Sequence, residues 1–224
     1  MKYILSIIIM LLSIVSCAAS GRAEEISLMR ESIVRVIADS ALIKSGGTGF
    51  ITELDGDKVI ITARHVVEDA LIPGMNIINN FTIYVMNYKG DTTETTILSY
   101  TDDEKNEYDD WCVLEVPEAF EDLPILAIAL EEPIIGEEAY CIGFADGDAT
   151  ISTNVMMGDP MIDGYIRRLD IIGASGMSGS PIYISGDGVV GILVGRIGES
   201  HYAVSLSIPM IIEGMLEEYH KDVP

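Results

Sequence analysis

The chain has 224 residues, enough for one large domain or two small ones, and carries 36 Asp and Glu against 13 Lys and Arg, a formal net charge of -23. Phosphate recognition needs clustered cations, so this balance excludes nucleic acid and anionic membrane surfaces as partners. Three cysteines and three histidines, none at metal-ligand spacing, exclude a metal site and leave no sign of a cofactor.

Residues 1–16 hold one charge, Lys2, and an almost unbroken apolar run from Tyr3 to Val15. That run is shorter than the ~20 residues of a membrane-spanning helix, so it reads as the hydrophobic region of an export signal. It ends in I-V-S-C at Cys17, which resembles the lipobox of bacterial lipoproteins. By that resemblance, cleavage before Cys17 leaves the cysteine to carry lipid; the alternative is ordinary signal cleavage near Ala19 or Ala23. The chain is therefore expected to be exported to the cell envelope, meeting membrane only through an N-terminal lipid, with residues 17–30 as a tether.

Short runs rich in Ile, Val, Thr and Tyr follow, broken by D-G-D, N-Y-K-G-D and G-D-G turns. They predict strands over Ile33–Ala38, Thr48–Glu53, Lys58–Ala63, Phe81–Asn87, Thr93–Ser99 and Trp111–Val116. A second set covers Glu138–Phe144, Ile151–Met157, Tyr165–Ile171, Pro181–Ile184, Val189–Arg196 and Tyr202–Leu206. Strands at this spacing suit an all-β sandwich or barrel, not alternating βαβ units. Between the two sets, Pro117, Pro124 and Pro133 mark a connector that packs across the surface. Helix is expected only after His65 and over Ile208–His220, where Ile208, Ile211, Ile212, Met215, Leu216 and Tyr219 recur at a helical period. Cys112 and Cys141 sit inside apolar strands and are expected as two buried, unpaired thiols, although an exported chain could bridge them.

Three stretches carry chemistry: I-I-T-A-R-H with His65, Y-D-D-W-C-V-L with Asp110, and G-M-S-G-S-P with Ser178. A serine hydroxyl becomes a nucleophile when an imidazole takes its proton and a carboxylate orients that imidazole. Gly176 permits a turn that lets the backbone N–H groups of Gly176 and Ser178 converge on an oxyanion, a contribution of about 3–4 kcal/mol per donor. His65 ends an apolar strand, where a side chain reaches a rim or cleft. Asp110 abuts the next buried strand, and a carboxylate there needs a hydrogen-bond donor such as an imidazole. Asp109 is its rival, one residue out on the other side of the pleat.

In the order His, Asp, Ser, the blocks T-A-R-H-V-V, D-W-C-V-L and G-M-S-G-S-P together resemble the chymotrypsin-like (trypsin-like) serine endopeptidases. The similarity is greatest to the bacterial HtrA-type proteases and glutamyl endopeptidases, here without a PDZ domain. S-G-G-T-G-F-I-T, I-I-G-E-E-A-Y-C-I-G-F-A-D-G and V-V-G-I-L-V-G add to the match, which runs from about Ile33 to His220. The resemblance implies two perpendicular antiparallel six-stranded β-barrels, residues 31–120 and 121–224, the second ending in a helix. It implies a monomer that cuts proteins or peptides through an acyl-enzyme, with no cofactor. It also frames the primary pocket by Ile172, Gly173, Ala174 and Ser175 and by Leu193, Val194, Gly195 and Arg196. With Ile172 near its base and no carboxylate, that pocket is expected to take a small or medium apolar residue. Arg196 reaching in to favour an acidic residue is the alternative. Met177 stands where pancreatic-type enzymes carry the aspartate that pairs with a freed N-terminus, so activity without zymogen cleavage is expected. A protease fold that serves as a surface binding module, or as a binder of unfolded chains, is the reading from another class.

Overall fold

The computed structural model describes residues 21–40, 44–71, 81–101, 110–161, 164–196 and 202–223. Residues 1–16, expected as an export signal, and Cys17, Asp109 and His201 lie outside them. Thirteen strands form two sheets: β1 (Ile33–Asp39), β2 (Lys44–Leu54), β3 (Asp57–Thr62), β4 (Thr82–Asn87), β5 (Thr92–Thr95), β6 (Ile97–Tyr100) and β7 (Cys112–Glu115) in the first. The second contains β8 (Glu138–Ala145), β9 (Asp148–Met161), β10 (Ile166–Ile172), β11 (Pro181–Ile184), β12 (Gly188–Arg196) and β13 (Tyr202–Ser207). The second sheet closes as a barrel in the order β10-β13-β12-β11-β8-β9. This is the mostly-β, chymotrypsin-like architecture that the sequence implied.

The first sheet differs in one respect. It has seven strands, not six, and runs β5-β4-β1-β2-β3-β7-β6 as a curled sheet. The run expected as one strand over Thr93–Ser99 is split at Thr96, so β5 pairs with β4 while β6 pairs with β7. The sheet's two edges are thus consecutive in the chain. The Thr95 hydroxyl and the Thr96 carbonyl bond the Glu115 carbonyl and N–H, at 2.7 and 3.0 Å. Those two bonds tie the bend to β7.

Continuous apolar runs such as K-V-I-I-T-A and W-C-V-L are explained by burial on both strand faces. Successive side chains of a strand point to opposite sides. Val34, Val36, Ile51, Ile60, Cys112 and Leu114 fill one cluster belonging to the first sheet. Ala139, Cys141, Leu169, Val190 and Leu193 fill another belonging to the second. The alternate residues Ile33, Phe50, Val59, Ile61 and Val113 meet Tyr140, Ile142, Phe144, Val189 and Ile192 in a third cluster drawn from both sheets. Each fully buried side chain of this size contributes ~1.5–3 kcal/mol, so the third cluster fixes how the halves meet, and with that the cleft.

Turn chemistry follows the sequence closely. Asp55 and Gly56 have φ of 51° and 92°, and Asp146 and Gly147 have φ of 50° and 98°. Both Asp-Gly pairs form two-residue hairpin turns, between β2 and β3 and between β8 and β9, where positive φ at both positions is required. The connector is stitched to both halves: Leu126 N–H bonds Ile51 O at 2.9 Å, and Ala129 N–H bonds Val189 O at 3.0 Å.

Helices are more numerous than the sequence suggested. Residues 21–32, read as part of a tether, form helix α1. Its Glu25 accepts hydrogen bonds from the Tyr183 hydroxyl at 3.2 Å and the Ser185 hydroxyl at 2.8 Å, which dock the helix on the second barrel. Helix α2 (Glu68–Leu71) follows His65 as expected. The C-terminal helix α3 (Ile208–Asp222) buries Ile208, Ile211, Met215 and Tyr219, and crosses to the β2–β3 turn through Tyr219–Asp57 and His220–Asp55 bonds of 3.1 and 2.8 Å. No described helix is long and apolar enough to cross a membrane.

Cys112 and Cys141 are free, fully buried, and on strands of different sheets. Burial pushes both thiols up, Cys141 to about 12 and Cys112 further. A chain beginning at Ser20 should therefore show no thiol reactive to a chromogenic disulfide reagent at pH 8 while folded, and two after denaturation. Rapid labelling of the folded protein would contradict this packing.

Candidate active site

The register of β3 against β7 brings His65 and Asp110 together. Thr62 pairs with Cys112 in this antiparallel ladder. The chain leaving β3 through Ala63 and Arg64 therefore runs beside the residues that enter β7. Asp110 grips His65 twice: the backbone N–H donates to Oδ1 at 2.9 Å, and ring Nδ1–H donates to Oδ2 at 2.5 Å. Nδ1 carries the proton in this arrangement, which leaves Nε2 as the acceptor. Burial of the ring works against its charged form, but the Asp110 hydrogen bond and charge, with Glu68, outweigh it, so the imidazole is raised above its ordinary 6.5.

Ser178 comes from the loop between β10 and β11, and neighbouring backbone fixes its shape. Gly179 N–H bonds Leu193 O at 2.7 Å and Ser180 N–H bonds Met177 O at 2.9 Å. Asp146 N–H bonds Ser175 O at 2.7 Å, so the β8–β9 turn supports the loop from behind. Glycine is required at two points. Gly176 has φ of 85° and a Cβ there would lie 2.4 Å from Phe144 O; Gly179 has φ of 88° and a Cβ would lie 1.9 Å from Thr48 O. Met177 is 2% exposed and packs in the second sheet's own cluster. Neither Gly176 nor Ser178 donates its N–H to any group among the described residues.

Thr48 on β2, which the sequence did not single out, joins the two sheets at this loop. Fully buried, it donates its hydroxyl to Gly176 O at 2.8 Å and accepts from Phe144 N–H at 2.9 Å. Its own N–H bonds Ser178 O at 2.7 Å, and its carbonyl accepts from the Thr62 hydroxyl at 2.6 Å. Thr62 lies three residues before His65, so two neighbouring threonines link the serine loop to the histidine strand.

His65 and Ser178 line one cavity of about 360 Å3 with Gly173, Ala174, Ser175, Gly176 and Leu193 to Gly195. Ser178 Oγ is not hydrogen-bonded to His65 Nε2 among the described residues; in uncomplexed hydrolases such bonds are often long and tighten around substrate. Ile172 does not join the others. It is 76% exposed and absent from the cavity wall, because a bulge between Arg168 and Ile172 breaks the β10–β13 alternation there. Leu193, 2% exposed, turns its side chain into the barrel. The side chain of Arg196 lies outside the described residues. Apart from His65, no described residue of the wall carries a charge.

A family profile described as the trypsin-like peptidase domain matches residues 47–192, from the glycine-rich β2 to β12. The chain belongs to that family. This trypsin-like peptidase domain matches no curated protein sequence. Among solved structures it is similar to the active form of the Rv3671c protease of M. tuberculosis, with TM-score 0.67 and 20% identity over 87% of this chain and 83% of that one. The serine endoprotease of Yersinia pestis gives 0.68 and 20% over 85% of this chain and 64% of that one. The HtrA-type protease AlgW with a tripeptide gives 0.68 and 18% over 90% and 64%. The chain thus spans less than two thirds of the length of the last two. These likenesses support the serine protease fold.

Thr48→Val keeps the size of the side chain but leaves the half-buried Gly176 O and the buried Phe144 N–H without this partner. The buried N–H costs ~1–3 kcal/mol and the half-buried carbonyl less, so a loss of about 1–4 kcal/mol is expected, seen as a fall in Tm by calorimetry of several degrees. Thr48→Ser should retain most of the stability; equal loss in both variants would place the effect in packing instead.

Proposed function

We propose that the protein is a serine endopeptidase in which Ser178 attacks the scissile carbonyl and His65 takes its proton, later returning it to the leaving amine. Asp110 orients the imidazole and stabilises its charged form. The backbone N–H groups of Gly176 and Ser178 serve the tetrahedral oxyanion. The observation that carries this reading is the two-point Asp110–His65 contact opening on the same cavity as Ser178. The described lining of that cavity carries no charge besides His65, which favours a small, uncharged side chain on the acyl side of the cut bond. Met177, packed among apolar side chains, offers no carboxylate to a freed N-terminus, so the enzyme works without zymogen cleavage. Export with a lipid on Cys17 belongs to the same proposal. Mass spectrometry of the mature N-terminus tests it, and an unmodified start at Ser20 or Glu24 would contradict it.

Hydrolysis of internally quenched peptides tests the chemistry. A chain beginning at Ser20 should cut without further trimming, and Ser178→Ala or His65→Ala should lower kcat by about 10^4- to 10^6-fold with the fold intact by circular dichroism. Turnover unchanged in Ser178→Ala would refute the assignment.

The pH profile gives a second test. The base must be neutral, so activity is lost as pH falls through the His65 pKa, and the raised value sets that limb above the ordinary 6.5. Asp110→Asn removes the main influences that raise it, so the limb should move to lower pH while kcat drops by about 10^4-fold. A limb that stays in place would exclude His65 as the titrating base.

A further inference from the structure

A second cavity, about 400 Å3, adjoins the one that holds His65 and Ser178. The two share Ser45, Gly46, Ser175 and Gly176, so they are contiguous at the Gly176 amide. Cations are scarce in this chain, 13 in all at a net charge of -23, yet Arg35 and Lys44 both border this second space. Asp146 is the only carboxylate among the described residues of its wall.

Arg35 lies beside the β8–β9 turn without a charged partner among the described residues. Its guanidinium lies against the backbone of Gly147, where a Cβ would come within 3.1 Å of Nη1. A side chain at that turn would press on its tip, and among the described residues Arg35 forms no ion pair. Lys44 pairs with Asp39 at 3.3 Å, but both groups are well exposed, at 62% and 39%, and such pairs bind weakly. A half-buried guanidinium with open donors beside a cleft is suited to a carboxylate.

The direction of the peptide follows from the two walls. The acyl-side lining, Gly173, Ala174 and Leu193 to Gly195, belongs to the first cavity only. A peptide whose scissile carbonyl meets Ser178 and Gly176 with its acyl part in that lining continues past the bond toward Arg35 and Lys44. Resting on the endopeptidase reading, we propose that this second cavity is a subsite for an acidic side chain one or two residues after the scissile bond. The overall charge of -23 repels acidic peptides at long range, but that field is screened beyond ~8 Å at physiological salt. The preference is therefore local, for one acidic residue at this position and not for acidic peptides in general.

Matched quenched peptides that differ only at the first or second residue after the cut, Glu, Gln or Lys, test the subsite. The Glu peptide should exceed the Gln peptide in kcat/KM by roughly 3- to 30-fold, allowing for partial exposure of the pair. The ratio should shrink with added salt, and the Lys peptide should be poorest. Arg35→Gln should bring the Glu/Gln ratio near one, Lys44→Gln should lower it in part, and Arg35→Lys should keep part of it. Equal cleavage of Glu and Gln peptides by the wild type, or an unchanged ratio in Arg35→Gln, overturns the proposal. If Arg35→Gln does not fold, the wild-type ratio, its salt dependence and Arg35→Lys decide the matter. Labelling by a fluorophosphonate separates the two layers. A labelled enzyme without the preference loses the subsite alone, whereas an enzyme neither labelled nor active loses both readings.

Discussion

A single buried threonine, Thr48, ties the serine loop of this peptidase domain to its histidine-bearing sheet. Thr48 sits on the first sheet, yet its hydroxyl and N–H bind the carbonyls of Gly176 and Ser178 on the second. By satisfying Gly176 O and Ser178 O, it fixes the backbone on either side of Met177 in the serine loop. Bonds buried in a low-dielectric seam are costly to break because nothing else there can replace them. The strict glycine at Gly179 has the same origin, since a Cβ would strike the Thr48 carbonyl.

Packing supplies the frame around that contact. Strands buried on both faces give each half its own cluster and leave alternate side chains to form the shared one. His65 and Asp110 then need no long side-chain reach: the β3–β7 register sets them side by side, and Thr62 carries the histidine strand into contact with Thr48. The functional groups lie where the two sheets meet, and small residues dominate there because backbone approaches backbone. Gly47, for example, has no room for a Cβ beside Ser178 O.

Much of this could be read from the sequence, and the failures have physical causes. Most strand positions and the Asp-Gly hairpin turns follow from local patterns, while the pairing of His65 with Asp110, 45 positions apart, was legible through the resemblance of their motifs. Thr48 could not be found that way, because its worth depends on contacts with residues 96 and 128 positions away. The split at Thr96 is hidden in T-T-E-T-T-I-L-S-Y, where β-branched residues run through the bend. Helix α1 was legible in part: Ile26 and Met29 stand three residues apart, and Met29 is fully buried. Its place after the apolar run of residues 3–15 made it look like a tether. Ile172 was misplaced because a bulge upsets strand alternation, and sequence gives no sign of it.

The central claim is that Ser178 is a nucleophile activated across the two sheets. Mass spectrometry of the intact, folded protein after exposure to a fluorophosphonate measures this most directly. The account predicts one adduct, mapped to Ser178 and not to the buried Ser180, forming more slowly in Thr48→Val at a temperature where that variant is folded. A folded wild-type protein that gains no adduct, or gains it elsewhere, would contradict it.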